Sequence, residues 1–149
     1  MAEPLILAPT SRPPAARRTR RQLLLVDDDL SVGRFLGHAA EECGYEAAIT
    51  VTAESFRSQY HATQPDIVVL DLALPGSDGV ELLRFLAEEK SRARIILISG
   101  FDERVLGSAM RLGAAMGLAM GPPLHKPVRL DRLMAAMLGE EVADDPCLG

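Results

Sequence analysis

The stretch Pro65-Asp66-Ile67-Val68-Val69-Leu70-Asp71-Leu72-Ala73-Leu74-Pro75-Gly76-Ser77-Asp78-Gly79 decides how this chain is read. Four apolar residues, Ile67 to Leu70, lead straight into a carboxylate, and Pro75, Gly76 and Gly79 then break the chain. A short, bounded, largely β-branched run predicts a strand buried on both faces, as in a parallel sheet. An acid at the end of such a strand stands at the carboxyl edge of the sheet, where open α/β folds place their sites. On this stretch alone, Asp71 is equally readable as a loop acid or a helix cap.

Working outward, the chain alternates between strand and helix patterns. Strands are predicted at residues 23–26, 46–51, 66–72 and 94–99, with a weak fifth somewhere in 118–125. Helices are predicted at 30–43, 53–63, 79–90, 103–115 and 130–138. The first carries Val32, Phe35, Leu36 and Ala39 on one face and has Gly44 as its stop. Five strand–helix pairs in one chain imply a doubly wound α/β fold, a parallel sheet with right-handed crossovers and helices on both faces. No internal repeat is visible.

With 149 residues, 48% hydrophobic and 25% charged, the chain has the balance of one globular domain with a proper core. No apolar run approaches the roughly 18 residues of a membrane span, and Leu5-Ile6-Leu7 is too short for a signal peptide. Cys43 and Cys147 stand too far apart for a disulfide framework or a metal site, so a reducing cytoplasm is expected. Aromatics at 4% and the absence of tryptophan argue against base-stacking surfaces. The net charge of −5 hides an asymmetry: residues 1–21 carry +4, with Arg12, Arg17, Arg18, Arg20 and Arg21 against Glu3, and the remainder carries −9. The organisation expected is a disordered Arg/Pro-rich arm at 1–21, a domain at 22–140 and a short acidic tail at 141–149.

The carboxyl ends of the strands carry the chemistry. The first ends in Asp27-Asp28, the third in Asp71, the fourth in Ser99-Gly100 and the fifth in His125-Lys126-Pro127. In a doubly wound sheet these tips converge on one edge. Clustered acids repel one another and call for a cation between them. Oxygen-only ligands with positions left open for water and phosphate suit Mg²⁺. Lys126 and Ser99 would hold a dianion beside the metal. The implied chemistry is attack of a carboxylate on a phosphoryl group, giving an aspartyl phosphate.

On these motifs the chain resembles a receiver domain of a two-component response regulator over residues 22–140. The matching elements are Leu-Leu-Leu-Val-Asp-Asp-Asp, Val-Val-Leu-Asp-Leu-Ala-Leu-Pro-Gly-Ser-Asp-Gly, Ile-Leu-Ile-Ser-Gly and Lys-Pro, in order and at the right separations. The resemblance implies a flavodoxin-like five-stranded sheet of order 2-1-3-4-5 with five helices, the order of the chemotaxis member of this family. It implies Asp71 as phosphoacceptor, Asp28 as a direct Mg²⁺ ligand, Asp27 acting through water and the Ala73 backbone carbonyl as a further ligand. Ser99 and Lys126 would each bind a phosphoryl oxygen. The implied partners are a histidine kinase or histidine phosphotransfer protein and a target protein, with a homodimer possible. The chain would be no enzyme beyond promoting its own phosphotransfer and dephosphorylation.

Other residues read as structural. Asp29 caps the first helix, Asp78 is a turn acid, and Pro127 constrains a turn whose peptide bond is often cis in this family. His38, His61 and His125 lack metal-ligand spacing, and Met110, Met116, Met120, Met134 and Met137 read as core. Two departures from the family pattern stand out, and two further positions bear on the lifetime of the phosphate. The aromatic expected three residues before the lysine is Pro123, which removes the usual hydroxyl–aromatic switch. The stretch from Gly113 to Lys126 is about six residues longer than in chemotaxis-type receivers, so either the fourth helix runs on or a loop precedes the fifth strand. Ala73 and Phe101, both apolar, flank the path of the hydrolytic water, which predicts a long-lived phosphate. The loop and residues 98–106 resemble, more loosely, receivers attached to cyclic-di-GMP phosphodiesterase domains.

The leading expectation is a stand-alone receiver that signals through protein–protein contacts. One alternative is a ligand-binding module whose arginine arm clamps a cyclic dinucleotide or an acidic partner. Another is a degenerate receiver acting as a scaffold, which the intact acid pocket disfavours because three mutually repelling carboxylates cost stability without a cation. A short basic arm on an acidic body argues against nucleic-acid binding, and nothing suggests a membrane partner.

Overall fold

The computed structural model describes residues 20–75, 78–100 and 102–139. Most of the arginine arm, Gly76, Ser77, the side chain of Asp78, Phe101, Glu140 and the 141–149 tail lie outside them. The elements run β1 (Arg21–Val26), α1 (Leu30–Glu42), β2 (Tyr45–Thr50), α2 (Ala53–Thr63), β3 (Ile67–Asp71), α3 (Asp78–Glu88), β4 (Arg94–Ser99), α4 (Glu103–Ala115), β5 (Ala119–Met120), β6 (Leu124–His125) and α5 (Leu130–Leu138). All the pairings are parallel, in the order β2-β1-β3-β4-β5, with β6 also on β4. The flavodoxin-like order 2-1-3-4-5 and its five helices are as expected.

The strands read as continuous apolar runs because both of their faces are covered. Leu24, Val26, Val68, Leu70, Ile95 and Leu97 face one layer with Phe56, Leu82, Leu83, Leu86 and Leu106. Leu23, Leu25, Ile67, Val69, Ile96 and Ile98 face the other, with Leu36, Ala39, Leu133 and Met137. Consecutive residues of a strand therefore feed opposite layers: α2, α3 and α4 on one side, α1 and α5 on the other. Met137 is buried and Met110, Met116, Met120 and Met134 pack against the two layers, so the methionines are core as expected.

The predicted fifth strand is two pieces. In β5, Ala119 pairs with Arg94 and Met120 with Ile95; in β6, Leu124 pairs with Ile98 and His125 with Ser99. Between them Gly121, Pro122 and Pro123 oppose only Ile96 and Leu97, so the edge carries one residue more than its partner: a bulge. The prolines have no N–H to donate, which an edge position tolerates. Gly121 still donates to Ile95 O at 2.8 Å, and Lys126 N–H to Ser99 O at 2.9 Å. The long 113–126 stretch resolves into the last turn of α4, which carries past Gly113 to a cap at Met116, and this bulge.

Candidate phosphoacceptor and metal site

Asp27 is the residue after β1 and Asp71 the last residue of β3, and both are fully buried. The main chain of Asp27 is fixed by its N–H to Thr50 O at 3.1 Å, while Thr50 Oγ1 donates to Leu25 O at 2.7 Å. One oxygen of each acid is taken by a backbone N–H two residues on: Asp29 N–H to Asp27 Oδ1 at 2.8 Å, Ala73 N–H to Asp71 Oδ1 at 2.9 Å. These two turns aim both remaining oxygens at the same space. Lys126 Nζ enters that space, 3.1 Å from Asp27 Oδ2 and 3.2 Å from Asp71 Oδ2, with a quarter of its side chain exposed. Its bond to Asp71 is directed, whereas its approach to Asp27 is an ion pair off the hydrogen-bond line. Asp27 Oδ2 is therefore one of two buried side-chain atoms without a hydrogen-bond partner among the described residues.

Asp28 is exposed at the mouth, and one ligand atom from each of Asp27, Asp28 and Asp71 falls within 4.8 Å of the others. Burial drives the pKa of Asp27 above the ordinary carboxylate range, and the neighbouring Asp71 charge adds to the rise against the pull of Asp29 N–H and Lys126. Burial alone would depress Lys126, but Asp27 and Asp71 outweigh it and its pKa lies above the ordinary lysine value. Three carboxylates against one ammonium leave the pocket short of positive charge. An oxygen-only donor set with an orphaned buried oxygen fits a hard divalent cation such as Mg²⁺.

Ser99 ends β4 and is buried, with its carbonyl held by Lys126 N–H. Ala73 is exposed beside Asp71. Gly79 closes α3 against the loop: a β-carbon there would stand 2.9 Å from Leu72 Cα and 3.1 Å from Asp71 O. The Lys126–Pro127 bond is cis, as expected. Asp29 is a helix cap, accepting from Ser31 N–H at 3.0 Å and Val32 N–H at 3.4 Å. The Ser31 hydroxyl, first, and these two N–H groups hold its pKa below the usual range. His125 lies 3.8 Å from Glu103 and His61 3.8 Å from Glu89, both on the surface. Pro123 is half-buried where an aromatic was expected. Sequence reasoning missed Thr50, which braces the strand end bearing Asp27, and Asp102, which caps α4 through Arg104 and Val105 N–H. An acid just before a helical run was a readable signal for Asp102; a lone strand-end threonine carries none.

A family model described as the response regulator receiver domain matches residues 23–138. The photosynthetic apparatus regulatory protein RegA of Rhodobacter capsulatus is 29% identical over 132 residues, covering 76% of this chain and 72% of RegA. The chemotaxis protein CheY of Treponema pallidum is 29% identical over 120 residues, covering 78% of this chain and 82% of that protein. The alkaline phosphatase synthesis transcriptional regulatory protein PhoP of Bacillus subtilis is 32% identical, but the match covers only 40% of its length and 63% of this chain. Among solved structures, a response regulator from Colwellia psychrerythraea superposes with a TM-score of 0.68 at 34% identity, over 80% of this chain and 94% of that one. No described helix is long and apolar enough to cross a membrane.

Proposed function

The chain belongs to the response regulator receiver family, and on that premise we propose that it is a phosphorylation-dependent switch whose acceptor is Asp71. The observation that carries the reading is the convergence of Asp27, Asp28 and Asp71 within 4.8 Å, with Lys126 on the two buried acids. In this reading an Asp71 oxygen attacks the phosphorus of a phosphohistidine on a kinase or phosphotransfer protein. The O–P bond forms as the P–N bond breaks, and the imidazole leaves with a proton. Mg²⁺, held by Asp28, Asp71 and the Ala73 carbonyl with Asp27 acting through water, would neutralise phosphoryl oxygens in the transition state. Lys126 exchanges its carboxylate partner for a phosphoryl oxygen, and Ser99 donates to another. The gain of a dianion and the release of Lys126 from Asp71 alter the loops after β3, β4 and β6, which a target protein reads in the cytoplasm. Pro123 supports a switch in which no aromatic ring follows the hydroxyl inward.

Intact mass after incubation with acetyl phosphate tests this directly. One added phosphoryl group is expected, lost in Asp71→Asn and in EDTA. A folded wild-type chain that gains no mass in Mg²⁺, or an Asp71→Asn variant that gains it equally, overturns the assignment.

A further inference from the structure

The opposite end of the sheet, away from Asp71, holds a second charged feature that the switch does not use. Arg94 opens β4, and its Nε is the other buried side-chain atom without a hydrogen-bond partner among the described residues. Its guanidinium lies in a slot that two glycines leave open. A β-carbon on Gly121 would stand 3.0 Å from Arg94 Nε, and one on Gly139 would stand 2.8 Å from Arg94 Nη1. Gly121 belongs to the bulge of the edge strand, and Gly139 caps α5 in the left-handed region at φ 77°.

The slot opens into a depression of about 580 Å³ lined by Arg21, Arg92, Arg94, Tyr45, Asp66 and Met137, among others. Arg21 is held over the Tyr45 ring, 5.8 Å from its centroid, and the Tyr45 hydroxyl is anchored to Met137 O at 2.9 Å. Three arginines thus share the lining of the depression with one acid, Asp66, which accepts from Gln22 N–H at 2.8 Å. A planar donor with a buried, unanswered N–H in a shaped slot is suited to a carboxylate or phosphate.

We propose that this depression is a carboxylate-binding site and that its occupant is the chain's own acidic segment, Glu140, Glu141, Asp144 and Asp145. The sequence places Glu140 immediately after Gly139, the residue that walls the slot. At 3.8 Å between successive Cα atoms, the chain length from Gly139 lets the first two carboxylates reach Arg94. Such tethering corresponds to an effective concentration of about millimolar or more, which free anions must match. Four acids against three arginines are complementary in charge. A tail seated there ties α5 to the start of β4, and α5 follows the Lys126–Pro127 turn of the phosphorylation site. The switch and the tail thereby share one helix.

The test is a double-mutant cycle on the full chain. One arm is Arg94→Gln; the other replaces Glu140, Glu141, Asp144 and Asp145 by their amides. Unfolding is followed by far-UV circular dichroism, and the Arg94 side-chain Nε–Hε resonance by NMR. Neutralising the tail is expected to lower Tm by about 3 °C in low salt, with the loss largely erased at high salt and absent when Arg94 is already glutamine. The Nε–Hε resonance is expected to move in the tail variant. Additive effects in the cycle, or a resonance that ignores the tail, overturn the proposal. So does inorganic phosphate at millimolar concentration shifting that resonance equally in the unmodified chain and in the tail variant, because the site would then be open to free anions. Should Arg94→Gln fail to fold, Gly121→Ala narrows the slot and must weaken the tail's effect.

Discussion

Replacing Lys126 by alanine separates the two tasks of its ammonium, which are to hold the folded pocket together and to compete with a metal. At 3.1 and 3.2 Å from two buried carboxylates, each contact is worth roughly 5 kcal/mol of gross attraction at an effective dielectric constant of about 20. Desolvation offsets most of this. Breaking a buried pair by removing one partner costs about 3–5 kcal/mol, and a quarter-exposed lysine belongs below that range, at about 2–3 kcal/mol. For a domain of about 120 residues this lowers Tm by about 8–12 °C in EDTA. Magnesium should reverse the loss. Even at the dielectric constant of water, an ammonium about 5 Å from a divalent ion repels it by about 1.7 kcal/mol, so its removal tightens the metal by about tenfold or more. The Mg²⁺-induced rise in Tm, about 6 °C for the parent at ten times its Kd, is then larger in Lys126→Ala. Far-UV circular dichroism melts with EDTA or MgCl₂ read both quantities in a chain that has no tryptophan to follow. A variant that melts with the parent in EDTA, or gains less from Mg²⁺ than the parent does, refutes the electrostatic account of the pocket.

Because the folded-state pKa of Asp27 is raised, the native chain holds that proton more tightly than the unfolded one. Its contribution in EDTA is therefore lost as pH rises from the ordinary aspartate value through the raised one; Asp27→Asn should remove that slope, and Mg²⁺ affinity should weaken on acidification through the same window, both checked by melts across pH. Gly79→Ala pushes a methyl into the backbone of Leu72 and Asp71 and should cost about 1–3 kcal/mol in urea unfolding and slow phosphorylation of Asp71, read by intact mass. Ala73→Asn places a polar side chain beside Asp71 and should shorten the life of the phosphate; a wild-type half-life of seconds, or one that Ala73→Asn does not change, counts against the apolar-flank reading. Deleting Pro123 removes the extra residue of the edge, shifts Lys126 by one position and should reproduce the Mg²⁺ response of Lys126→Ala, whereas an unchanged response would show that the bulge does not place the lysine.

Most of the fold was legible because its strands are buried on both faces. Residues 23–26, 67–70 and 95–98 have no polar alternation to blur them, and polar or charged residues bound them. The acids were legible for the same reason, since each stands where an apolar run stops. The Asp29 cap was readable from its place before the first helix, but which of Asp27 and Asp28 turns inward was not. Three identical side chains become a buried acid, an exposed acid and a helix cap only through the turn that sends Asp29 N–H back to Asp27 and the Ser31 and Val32 amides to Asp29. The fifth strand was blurred because Gly121-Pro122-Pro123 interrupts its pattern, and no local signal says which residues on either side pair with β4. Arg94 was invisible for a further reason: its surroundings come from Gly121 and Gly139, each far from it in sequence.

The bulge explains how an irregular edge still delivers a regular site. Side chains alternate along a strand, so a shift of one residue exchanges the faces of everything that follows. At β5, Met120 pairs with Ile95, and both turn toward the layer of α2, α3 and α4. Had that register continued, Leu124 would stand opposite Ser99 on the same side, and Lys126 would follow it there. The extra residue instead sets Leu124 opposite Ile98, and both turn toward α1 and α5. Asp27 and Asp71 continue the alternation of Leu23 and Leu25 and of Ile67 and Val69, which face that same layer. Lys126, two residues beyond Leu124, thereby shares the side of the two buried acids, and its ammonium reaches both. Two prolines without N–H groups lie in the gap, at the edge of the sheet, where no further strand among the described residues asks for their hydrogen bonds. The departure that removes the family's aromatic at position 123 is thus part of the same segment that brings the lysine to Asp71.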